Sequence, residues 1–298
     1  MYYIISVIIG CIIAGMIAIN GGLSAQYGIY GATVIIHLVG TIFAIAVIKL
    51  RRMKLNLSRA IPVWLFSGGV IGVLTTVFNN FAFSKISMTS IVALGLFGQT
   101  LTSICIDSFG WFGMQKHRFS SSKLLGIAFA IIGILIMLDN TEIAALTAII
   151  LSLTAGVTIV LSRTVNARLS DRLGALQGSF INHLVGLPVT IAILFLFGRA
   201  EPIFTDFALS PAAWIYLGGV LGVIIVLLFN IIVPKMQSVY LTLLTFVGQV
   251  FTGIIIDIFT KQSYSASTFY GGILVAIGIF INLLLEYVQK RKTSLPCK

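Results

Sequence analysis

Gly98 to Asp107 reads GQTLTSICID and decides how the rest of the chain is read. On a helix, Gln99, Ser103 and Asp107 stand four apart and form one polar stripe on an otherwise apolar surface. The run returns as GQVFTGIIID, Gly248 to Asp257, with Gln249, Thr252 and Asp257 where Gln99, Thr102 and Asp107 stand. A polar stripe kept twice inside apolar helices points to a shared interior, not a lipid-facing surface.

The surrounding composition fixes the class. Of 298 residues, 58% are hydrophobic and only 9% charged, with a mean hydropathy of +1.10. Too little polar surface exists to cover a soluble core, so the chain reads as an all-α polytopic membrane protein. The net charge of +11 resides in short segments between apolar runs, and no basic module is present for nucleic acid. Cys11 and Cys105 fall in apolar helices and Cys297 near the end; they form neither a disulfide framework nor a metal site.

Ten apolar runs are long enough to cross a bilayer: 2–20, 33–50, 62–82, 88–106, 123–139, 143–162, 175–197, 212–232, 238–258 and 268–288. Sixteen of the 19 Lys and Arg fall on one side if the loops alternate, the exceptions being Lys85, Arg199 and Lys261. That bias predicts both termini in the cytoplasm. Trp64, Trp111, Trp214 and Tyr270 lie near span ends, as interfacial anchors do.

The repeat extends well beyond the opening stretch. Asn20 and His37-Leu38-Val39-Gly40 recur 146 residues later as Asn166 and His183-Leu184-Val185-Gly186. Gly68-Gly69-Val70, Gly72 and Asn80 recur at an offset of 150 as Gly218-Gly219-Val220, Gly222 and Asn230, and Gly126 and Gly133 at an offset of 145 as Gly271 and Gly278. The first change of offset marks an insertion around Arg199 to Asp206. The expected units are 1–141 and 142–298, each with five spans. Five is odd, so the second unit enters the membrane from the opposite side. Two inverted five-helix repeats are the architecture of secondary transporters.

The doubled G-Q-x-x-T-x-x-x-x-D run, the Asn-x-x-Leu motif ending the first span of each half and five spans per half resemble the drug/metabolite transporter superfamily. Within it, Asp107-Ser108-Phe109-Gly110-x-x-Gly113 is similar to the signature of the YdcZ-type, EamA-like branch, with Ser108 where His is expected. The second half keeps Asp257 and Phe259 without the two glycines. The resemblance implies a fused two-half, alternating-access carrier in the inner membrane, with spans one to four of each half lining a central cavity. It implies export of a small metabolite or drug and leaves the solute unnamed.

Several residues could carry the chemistry. Gln99 and Gln249, with Thr102, Thr252, Asn80 and Asn230, are candidates for solute binding, since amides and hydroxyls offer donors and acceptors together. The alternative for the glutamines is an interhelical hydrogen bond, and for the asparagines, Asn20 and Asn166 included, capping of a last turn. His37 and His183 are candidates for proton coupling, or neutral rings donating to a backbone carbonyl. Asp107 and Asp257 would sit near opposite membrane surfaces as gates. The alternative is a helix-end acid paired with a base such as Lys116 or Lys261.

No nucleophile-and-base motif, phosphate loop or metal set appears, so neither an enzyme nor a cofactor is expected. The expected partners are a small-molecule solute and membrane lipid, with a monomer or homodimer as the assembly. A lipid or lipid-linked head-group flippase and a passive facilitator are the other functional classes.

Overall fold

The computed structural model describes residues 1–54, 61–116, 122–137 and 143–260, with single residues between 270 and 285. Within these, the helices are α1 (Tyr2–Tyr27), α2 (Ile29–Leu50), α3 (Ser67–Phe83), α4 (Met88–Phe109) and α5 (Ser122–Met137). They continue as α6 (Ile143–Leu173), α7 (Ala175–Phe197), the single turn α8 (Pro202–Thr205), α9 (Gly218–Ile232) and α10 (Ser238–Thr260). Among the described residues eight spans are long and apolar enough to cross a membrane, with the 3₁₀ turns at Val63 and Ala213 extending α3 and α9. The protein is therefore an all-α polytopic membrane protein. The expected span at 268–288 and the loop holding Lys261 lie mostly or wholly outside the described residues.

Two of the helices run much further than their apolar cores. The apolar runs ending at residues 20 and 162 continue as helix to Tyr27 and Leu173. α6 therefore has 31 residues, or about 46 Å at ~1.5 Å per residue. Its polar second half stays helical because the side chains find partners inside the protein. Asn166 donates to Ser162 Oγ and to Asn182 Oδ1 (2.7 Å), and Ser170 Oγ donates back to the Asn166 carbonyl. Arg163, expected in a loop, is thereby carried into the interior at 3% exposure.

α4 is the most enclosed span. It lies between α6 and α10, and α10 lies between α4 and α1. Glycines set these contacts. A Cβ on Gly98 of α4 would overlap the Leu153 carbonyl of α6, and one on Gly248 of α10 would overlap the Val7 carbonyl of α1. The facing glycines complete the pattern: Gly156 abuts the Gly95 carbonyl and Gly10 the Thr245 carbonyl. Each contact has its equivalent in the other half at the sequence offset. Because the obstacle is backbone, a methyl here must push two helices apart. Gly98→Ala is expected to cost about 1–3 kcal/mol. Gly15→Ala, where nothing stands within 4 Å, should be near neutral. Thermal unfolding of the purified variants in detergent checks the contrast.

The outer surface is apolar. Ile8, Ile42, Leu196, Phe251 and Ile258 are among many exposed large side chains, as a lipid-facing belt requires. Trp64, Trp111, Trp214 and Tyr270 are all about half exposed or more.

The two ends of the bundle are tied across the halves. At one end the Lys54 carbonyl accepts from Gln177, and the Phe112 and Gly113 carbonyls accept from Arg168 of α6. The glycines of the 107–113 motif serve this turn: Gly110 (φ 68°) and Gly113 (φ 73°) are left-handed, a conformation that side chains disfavour. At the other end Glu201, from the inserted segment, accepts from the Tyr30 and Gly31 backbone N–H groups and so caps α2.

Candidate central cavity

A cavity of about 120 Å³ lies between α1, α2, α3, α6, α7 and α9. His37 and His183 stand in its wall with ring centroids 5.7 Å apart. Each Nδ1 lies 2.9–3.0 Å from the carbonyl four residues back, Thr33 or Ser179. A carbonyl can only accept, so Nδ1 carries the hydrogen, and in the neutral ring Nε2 is the acceptor. Each ring lies over a glycine of the other helix: His183 over Gly40, and His37 over Gly186. These glycines are what allow two imidazoles to meet between α2 and α7.

The candidate residues are distributed unevenly around this space. His37, His183 and Asn230 belong to its wall, as do Asn20, Asn79 and Asn166. Gln99 and Gln249 are buried in α4 and α10 but are not part of it, nor are Asn80, Thr102 and Thr252. Thr102 donates to the Gly98 carbonyl of its own helix (2.8 Å), and Asn80 donates to Thr33 Oγ1 (3.3 Å). Asn230 donates to the Ala175 carbonyl (2.9 Å). Asn20 and Asn166, mid-helix and not caps, lay their amide oxygens against Gly218 and Gly68, whose missing side chains make the room. Gly72 and Gly222 open onto the cavity itself.

Asp107 and Asp257 sit at opposite ends of the α4–α10 pair, 2% and 1% exposed. Asp107 accepts from the Ser238 and Val239 backbone N–H groups (3.3 and 3.1 Å), at the start of α10. Asp257 accepts from those of Met88 and Thr89 (3.2 and 3.0 Å), at the start of α4, and from the Thr89 hydroxyl. A helix N-terminus, whose N–H groups and dipole favour an anion, thus faces each carboxylate; Lys261, one of the expected partners, lies outside the described residues. The helices are antiparallel, and each closes the other's first turn.

The residue that sequence reasoning missed is Arg163. One guanidinium nitrogen donates to Thr242 Oγ1 (2.6 Å), and to Ser103 Oγ and Ser238 Oγ at 3.2 Å. The group lies over the Phe229 ring, 5.4 Å from its centroid, and feels the charge of Asp107. Counting it as a loop residue in the charge balance hid it. Its repeat equivalent, Ile17, is an ordinary core residue, and that mismatch was the available signal.

Among the described residues no group of three or more His, Cys, Asp or Glu is placed to hold a metal ion. The multi-pass helical bundle around a partly polar cavity and a family match together make the protein a membrane transporter of the drug/metabolite superfamily type. The chain belongs to the family described as "Putative inner membrane exporter, YdcZ", whose model matches residues 1–136 and again 147–281. No curated protein matches it. A solved structure described only as "Crystal structure of protein" shares the fold, with a TM-score of 0.65 over 95% of this chain and 96% of the other at 13% identity.

Proposed function

We propose that the protein is a ten-helix alternating-access carrier, built from inverted repeats 1–141 and 142–298, that exports a small polar or amphipathic metabolite or drug through the central cavity. The observation that carries this reading is reciprocity. Asp107 caps α10 as Asp257 caps α4, and His183 covers Gly40 as His37 covers Gly186. Exchange of two such near-equivalent arrangements converts an inward-open form into an outward-open one. The family match to two successive segments supports a fused pair.

In this reading the two Asp caps are the gates. Opening one end separates the end of α4 from the start of α10, and opening the other does the reverse. His37 and His183 carry the coupling proton, within sight of the solute. Gln99 and Gln249 brace the α4 and α10 contacts and come to the path only if those helices rotate. Both termini lie in the cytoplasm, because the end joined by Lys54, Arg168 and Lys235 is the one rich in basic residues.

The test is reconstitution. Proteoliposomes with an imposed proton gradient, offered a metabolite mixture, should show saturable uptake or counterflow of at least one solute. Conductance without saturation or counterflow would make the protein a passive facilitator.

A further inference from the structure

The cavity is two-faced, and the difference follows the repeat. At six wall positions the halves disagree in polarity. On α6 and α7, Ser162, Arg163 and Asn182 stand where the first half has Met16, Ile17 and Ile36. On α3, Thr75, Thr76 and Asn79 stand where α9 has Ile225, Val226 and Phe229. All of these except Ile17 line the cavity. The polar members therefore gather on the α3–α6–α7 side and the apolar members on the α1–α2–α9 side. At these positions equivalent helices carry unlike side chains, one set suited to a polar head and the other to an apolar body, while Asn20, His37 and Asn230 keep polar groups on the second side.

Arg163 marks the polar wall with a fixed charge. It is 3% exposed, and two of its guanidinium nitrogens, Nε and Nη1, have no hydrogen-bond partner among the described residues. A guanidinium has five N–H groups and no acceptor, so three N–H bonds are left without an oxygen. Inside a membrane such a deficit is costly and marks a functional site. Asp107, at the end of α4, supplies opposite charge and accepts from the backbone at the start of α10. It does not meet the hydrogen-bonding need of Nε and Nη1.

We propose that Arg163 is the head-group site for an organic anion, a small carboxylate with an apolar body. The carboxylate accepts from the guanidinium N–H groups, and the body rests against the Phe229 and Ile225 wall. This rests on the reading of the cavity as the solute site and names the solute class. It also gives the one charged member of these asymmetric positions a purpose: it orients the solute in the cavity.

Three probes of one shape and different charge test it: benzoate, benzamide and benzylamine. Binding to the purified full chain in detergent is read by ligand-dependent thermal stabilisation. Benzoate should bind at least tenfold more tightly than benzamide, and benzylamine more weakly still. Arg163→Gln should erase the preference, and Arg163→Lys should keep part of it. If those variants fail to fold, the order of the three probes on the unaltered protein still decides. Equal affinity for all three, a benzylamine preference, or no binding by any of them would overturn the anion site. Benzoate preference in a protein that moves no solute in proteoliposomes would keep the site and remove the carrier reading. Solute transport without charge preference would do the opposite.

Discussion

Asp107→Ala and Asp257→Ala should both destabilise the protein strongly, and Asp107→Ala should be the worse. Each removes the acceptor for two backbone N–H groups at the start of a buried helix. A buried donor left without a partner costs about 1–3 kcal/mol, so two cost about 2–6 kcal/mol. Asn at either position keeps one oxygen and should cost about 1 kcal/mol, roughly one net hydrogen bond.

The two acids differ in one respect. Asp107 also offsets the buried charge of Arg163, while the residue equivalent to Arg163 in the first half is Ile17. An uncompensated buried charge costs about 3–5 kcal/mol, which adds to the Asp107→Ala penalty alone. Combining Asp107→Ala with Arg163→Ile should therefore cost less than the two single changes together. Denaturant or thermal unfolding in detergent measures this. Losses of only about 0.5 kcal/mol, as for an unimportant surface site, would mean that the acids do not hold α4 and α10 together.

Replacing both His37 and His183 by Gln should abolish the dependence of transport on a proton gradient while leaving counterflow. The rings are too close to be charged together. Two unit charges about 6 Å apart at an effective dielectric near 20 repel by about 3 kcal/mol. The pair therefore takes up at most one proton beyond its two Nδ1 hydrogens, and either single replacement should leave a coupled protein with altered pH dependence. Gln retains a donor and an acceptor, so the variant tests the charge and not merely the hydrogen bonds. Uptake driven as before by the gradient in the double variant would remove both residues from the coupling. Gly40→Ala and Gly186→Ala approach the same site from behind, because the added methyl occupies the space of the facing ring.

The membrane class and most span limits were legible because apolar runs are long and their ends are marked by basic residues. The run at 175–197 coincides with α7, and that at 88–106 falls three residues short of the end of α4. The polar ends of α1 and α6 were not legible. Hydropathy counts Asn166, Ser170 and Arg163 as loop residues, and only tertiary partners such as Asn182 and Thr242 make them interior ones. The histidines reached the cavity wall because their spacing and repeat placed them mid-span. Gln99 and Gln249 were equally regular yet lie elsewhere, since a polar stripe cannot say which neighbour it faces. Reading the halves for agreement found the shared scaffold. Reading them for disagreement, as at Ile17 and Arg163 or Asn79 and Phe229, would have found where the two sides of the cavity differ.

The inversion of the two halves can be measured directly at Lys54 and Ala200, which follow α2 and α7, the equivalent helices of the two halves. In an otherwise cysteine-free protein, single cysteines at the two positions would be treated with a membrane-impermeant maleimide in intact cells and in inverted vesicles. Inverted repeats predict labelling of residue 54 only from the cytoplasmic face and of residue 200 only from the opposite face. Labelling of both from the same face would contradict the arrangement on which the carrier rests.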